Sequence, residues 1–124
     1  MRILLDHCLP KRLKWSFPNH TVETAREAGW EGLKNGKLLA EAGQRFDVML
    51  TIDKNIRHQQ NLDQLPIAIF VIDARDNRLP TLLPFVSAIE TALARLAPRT
   101  LIEVTADEVD QLEPEQKQDP ETKP

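Results

Sequence analysis

Apolar residues gather along this chain in short blocks set apart by polar segments, and the blocks fall into two kinds. "RILLD" (2–6), "DVMLTI" (47–52) and "IAIFVI" (67–72) are continuous apolar runs, each closed by an acid: Asp6, Asp53 and Asp73. Continuous runs with no polar alternation are the pattern of strands covered on both faces, as in a parallel sheet between helices. "HTVET" (20–24) is a weaker, β-branched candidate, and "TLIEVT" (100–105) reads as a last strand. The segments between them have a helical period. Leu9, Leu13 and Phe17 are spaced by four, with Pro10 in the first turn where its missing N–H costs nothing. Leu38, Leu39, Ala42 and Phe46 share one side of a helix whose natural N-cap is Asn35. Leu82, Val86, Ile89, Leu93 and Leu96 form one stripe across residues 81–97, with Pro84 in its first turn. "AREAGWEGLKNG" holds three of the four glycines and predicts a turn-rich loop.

Strand and helix therefore alternate with short connections. The expected fold is α/β: three layers, α/β/α, around a mostly parallel, doubly wound sheet of about five strands, occupying residues 1–105. Right-handed crossovers bring every strand's C-terminal end to one edge, and ligands of such folds sit in the crevice outside it.

Length and composition agree with one globular domain: 124 residues, 41% hydrophobic and 28% charged. Charge adds one feature. Seven acids between Asp107 and Glu121, against Lys117 and Lys123, give the end of the chain −5; the total is −3, so residues 1–106 carry +2. Residues 106–124 read as an acidic, disordered tail on a mildly basic domain, which permits a nucleic-acid partner without requiring one. Cys8 is the only cysteine, so neither an internal disulfide nor a thiolate zinc cluster can form. With no secretory core at the start and no bilayer-length apolar run, the expected location is cytoplasmic, without a membrane partner.

The acids at the strand ends are the candidate chemistry. Topology brings Asp6 and Asp53 to the same edge, and two nearby carboxylates repel unless they share a proton, gain a basic neighbour or bind a hard cation. Magnesium or manganese there would polarise a phosphodiester and activate a water. The plainer reading is that such acids cap helices and form turns. Asp73, in "DARDNRLP", fits a polar surface loop, His20 a structural position, and Trp15 and Trp30 core or loop anchors. The stretch "TIDKNIRHQQN" (51–61) turns abruptly from apolar to hydrogen-bonding residues and reads as a wall of the strand-end crevice, with His58 or Gln59 sharing a face with Asn55 on a short helix.

Three blocks, "RILLDHCLP", "GWEGLKNGKLLAEA" and "FDVMLTIDKNI", resemble in order and separation the small bacterial PIN-like nucleases over residues 1 to 95. The usual members read Asp-Glu-Asn-Leu-Pro in the first block, begin the central helix with an acid, and read Thr-x-Asp-x-Asp in the third. Asp6 and Asp53 match those acids, whereas His7, Asn35 and Asn55 stand where acids are usual. The resemblance implies a metal-dependent ribonuclease, in some members the toxin of a toxin–antitoxin pair. Asp6 and Asp53 would hold Mg2+ or Mn2+, with Asn35 and Asn55 completing the catalytic shell directly or through water. His7, Lys54, Arg57, His58, Gln59 and Gln60 would meet the substrate. The implied partners are RNA, an antitoxin protein and a second copy of the chain. The loss of about three acidic charges favours the alternative, a catalytically degraded module that binds RNA, a nucleotide or a protein. A phospho-receiver domain would need a lysine after the fifth strand, and "TLIEVTADE" supplies none.

Overall fold

The computed structural model describes residues 1–106; the expected acidic tail, from Asp107 on, lies outside the described residues. Five strands, β1 (Arg2–Leu5), β2 (Thr21–Thr24), β3 (Val48–Thr51), β4 (Ala68–Ile72) and β5 (Leu101–Val104), form one all-parallel sheet in the order β2-β1-β3-β4-β5. The chain runs outward from β1 to β2, then crosses back to β3. The sheet therefore has its topological switch point between β1 and β3, where Ile3 pairs Val48 and Leu5 pairs Leu50.

Alternation along the strands sorts their side chains to two cores. Ile3, Leu5, Val48, Leu50, Phe70 and Ile72 pack with Leu13, Phe17, Leu82 and Ile89 on one face. Leu4, Met49, Ile69 and Val71 pack on the other with Leu38, Leu39, Ala42 and Phe46. Both faces of β1, β3 and β4 are covered, which is why these strands read as unbroken apolar runs. The layers are α/β/α as expected.

Helix α1 spans Asn35–Ala42, α2 Ile56–Gln59, α3 Leu79–Leu82 and α4 Val86–Leu93. Three helical segments differ from the sequence expectation. The segment Lys11–Ser16 is a 3-10 helix, opened by the Leu13 N–H bonding the Pro10 carbonyl; a brief, tight connection suffices before β2. Lys34, not Asn35, is the N-cap of α1, and Asn35 is its first helical residue. That helix ends at Ala42; Phe46 reaches the core from the following turn. The stripe of residues 81–97 begins earlier, at Leu79, with Pro80 in its first turn. Pro84 then falls where an N–H is needed, and the helix passes through a 3-10 turn, Leu83–Phe85, before α4 resumes.

Gly43 closes α1 for a steric reason: a Cβ there would run into the Pro66 carbonyl. Among the described residues no helix is long and apolar enough to cross a membrane.

Candidate functional site at the strand ends

Parallel pairing carries β1 and β3 to the same edge together, and the Asp6 N–H continues the ladder by bonding the Leu50 carbonyl at 3.0 Å. Beside it lies Thr51, the one buried polar residue among the described residues. Two of its hydroxyl's hydrogen bonds reach the candidate acids. The hydroxyl donates to Asp6 Oδ2 at 2.8 Å and accepts from the Asp53 N–H at 3.0 Å. Asp6 and Asp53, 47 positions apart in the chain, are thereby joined through one side chain. Asp6 Oδ1 also accepts from the His7 N–H at 2.8 Å.

Asp53 does part of its work locally. Its Oδ1 accepts from the Asn55 N–H at 3.0 Å, so the turn-forming role open to any acid after a strand is realised here. Asn55 caps α2, and its carbonyl accepts from the His58 and Gln59 N–H groups at 2.9 and 3.2 Å. This places His58 and Gln59 on the Asn55 side of a single turn. Asn55 and His58 are exposed, and Gln60 is half-buried with its N–H on the Ile56 carbonyl. The amide-rich stretch is a one-turn helix pinned inward by buried Ile56.

The lysine and arginine expected to meet the substrate have acidic partners. Lys54 pairs with Asp73 at the end of β4, and Arg57 Nη1 lies 3.0 Å from Glu103 Oε1 on β5. Asp73, which suited a surface loop, is thus the counter-ion of a candidate site residue, and it holds the Lys54 ammonium above its ordinary pKa. Among the described residues no cation lies within ion-pair distance of Asp6 or Asp53.

On the other side of Asp6 a cleft of about 380 Å³ opens outside β1 and β2, lined by Asp6, His7, Lys11, Thr24, Arg26 and Glu27 among others. His7 Nε2 lies 3.2 Å from the Leu33 carbonyl, which can only accept, so the proton sits on Nε2 and the loop before α1 is tied to this cleft. Neither Asp53 nor Asn55 lines it. Asp6 alone of the expected site residues faces both the cleft and the β1/β3 junction. Asn35 stands at the start of the helix this loop leads into.

Two residues without a role in the sequence reading belong to the site. Thr51 was legible as the lone hydroxyl in an apolar strand, two residues before Asp53. Cys8 had no such signal. Its Sγ lies 3.5 Å from Thr51 Oγ1 and 3.7 Å from Asp6 Oδ2, and burial pushes the thiol pKa up, so it acts as a weak neutral donor.

As a metal site the donor set is hard, oxygen-based and small. Among the described residues no group of three His, Cys, Asp or Glu side chains could hold an ion. Two carboxylates suit magnesium, which draws its remaining ligands from water and substrate phosphates, and they do not form a protein-only cage. No family model, curated protein or solved structure matches the chain.

Proposed function

We propose that this chain is a PIN-like, metal-dependent ribonuclease whose working edge is the β1/β3 junction. The observation that carries the reading is the Asp6–Thr51–Asp53 connection at the switch point, in which the Asp6 carboxylate accepts from the Thr51 hydroxyl, the Asp53 backbone N–H donates to that hydroxyl, and the Asp53 carboxylate accepts from the Asn55 N–H. The negative charge left there is available to a cation that arrives with RNA phosphate. Mg2+ or Mn2+ so bound would polarise the phosphodiester and acidify a water. The chain's own residues orient: Thr51 fixes the Asp6 carboxylate and the backbone at Asp53, while the α2 turn holds Asn55 beside Asp53. His7 donates its Nε2–H to the Leu33 carbonyl, which fixes the imidazole at the wall of the cleft.

Asp6→Asn and Asp53→Asn test this reading, since amides preserve the hydrogen-bonding shape and remove the charge. Each abolishes Mg2+- or Mn2+-dependent RNA cleavage and leaves the fold intact by circular dichroism. Calorimetry with Mn2+ shows binding in the presence of a cleavage-resistant oligonucleotide. Lack of metal-dependent hydrolysis, together with no Mn2+ binding, removes the proposal. A toxin role adds that expression arrests growth, that Asp53→Asn relieves the arrest, and that a co-encoded antitoxin protein neutralises it.

A second reading, an RNA-binding module without turnover, has an observation in its favour: no third ligating side chain joins the two acids among the described residues. It predicts oligonucleotide binding that persists in chelator, with no cleavage under any metal.

A further inference from the structure

The 3-10 helix Lys11–Ser16 leaves β1 directly after the candidate site, and its sequence, "KRLKWS", contains three bases and no acid. In a 3-10 helix residues i and i+3 eclipse one another, which sorts this segment into three faces. Leu13 points inward and is fully buried. Lys11 and Lys14 share a face turned to Glu27, whose Oε2 lies 4.0 Å from Lys11 Nζ and 2.7 Å from Lys14 Nζ. Arg12 and Trp15 share the remaining face, and both are exposed. Trp15 is 66% exposed, the most open large apolar side chain among the described residues.

The sequence suggested that Trp15 anchors the core or a loop, and its exposure overturns that. Trp30 takes the anchoring role, packed edge-on against Phe46 with ring centroids 5.9 Å apart. A bare indole on a packed domain lowers stability nowhere that the fold requires it, so its use lies in what it meets. Two bases flank it: Lys14 Nζ, itself paired with Glu27, lies 5.9 Å from the ring centroid, and the exposed Arg12 stands one helical turn away. An aromatic beside bases is the arrangement that stacks a nucleobase and holds its phosphates.

We propose that Arg12 and Trp15 form a stacking platform for single-stranded RNA, with Lys11 leading the strand from the platform into the cleft that Asp6 and His7 line. This rests on the ribonuclease reading for its substrate class and adds where the unpaired strand lies. Lys11 belongs to both places, since it lines the cleft and opens the 3-10 helix. Four residues of 3-10 helix span about 8 Å, so the platform sits within a nucleotide or two of the Asp6 cleft.

The test uses the full chain in chelator, so that binding is read without cleavage. A Trp30→Phe variant retains an aromatic ring against Phe46 and leaves Trp15 as the only indole. Titrating it with an oligouridylate of roughly twelve nucleotides quenches the Trp15 fluorescence, and a duplex of the same length does so far less. In the otherwise native chain, Trp15→Ala weakens oligouridylate binding between about fivefold and a hundredfold, and Trp15→Phe restores most of it. Arg12→Ala lowers the slope of log affinity against log salt by about 0.7, the value for one phosphate contact to a single strand.

Binding unchanged in Trp15→Ala, or equal quenching by duplex, overturns the platform. Trp15-dependent dimers in sedimentation, with no oligonucleotide binding, overturn it in favour of a second copy as the occupant. Metal-dependent cleavage that survives Trp15→Ala with unchanged KM sinks the platform alone. Binding that needs Trp15 in a chain that never cleaves sinks only the nuclease reading.

Discussion

Two ends of the same sheet edge treat their carboxylates differently. At the β4/β5 end, Asp73 and Glu103 each receive a cation, Lys54 and Arg57, from the loop and single turn that follow β3. At the β1/β3 end, Asp6 and Asp53 receive only a hydroxyl, backbone N–H groups and a weak thiol donor. The flank of the cleft repeats the first pattern, with Glu27 on Lys14 and Glu31 on Arg26. Paired acids are electrically spent, while those held by neutral donors keep a charge to offer. The space next to that charge is the cleft outside β1 and β2, which Asp6 lines and Asp53 does not.

Removing the hydroxyl that joins the two acids should have the largest effect on the fold. Thr51→Val keeps the shape, and leaves a buried donor and acceptor short of a partner; unfolding in urea should show a loss of about 1–3 kcal/mol with an unchanged slope. A Thr51→Val chain as stable as the parent would mean the junction is not held in this way.

Acid titration separates a paired carboxylate from those at the junction. The Lys14 ammonium, then the Thr24 N–H, lowers the Glu27 pKa from 4.5 to about 2. A depressed carboxylate stabilises the fold above its unfolded pKa, and that contribution fades as pH falls through the folded value. The parent should therefore melt above Glu27→Gln at neutral pH, and the gap should close between pH 4.5 and about 2. A gap that persists below that window assigns the effect to packing instead of charge.

The smallest effect belongs to the exposed pair at the β4 end. Lys54→Ala should leave the urea midpoint unresolved from the parent, because solvent screens an exposed ion pair. If the same change strengthens Mn2+ binding with oligonucleotide present, then Asp73 has become a second site, and the contrast between the two ends follows from the pairing alone.

The apolar runs were enough to place β1, β3 and β4, because strands buried on both faces are composed of little else; the half-buried edge strands β2 and β5 were legible only as short segments rich in β-branched residues. Helix limits were less legible: Pro84 marks a break or a first turn depending on where the helix starts, and that start was set by the loop after β4. Asp6 and Asp53 could be put on one edge from the order of elements. Their connection could not, since it depends on β1 pairing β3 in a register that sets Thr51 beside Asp6.

The residues alone determined a layered parallel sheet, its two cores and the edge where polar chemistry collects, since period and burial are written into composition along the chain. Tertiary structure decided which of the charges there are cancelled. Lys54 and Arg57 follow Asp53 within four positions, and only packing gives them Asp73 and Glu103 to meet. Ion pairing depends on a few ångströms between side chains of different elements, a distance that no local pattern encodes.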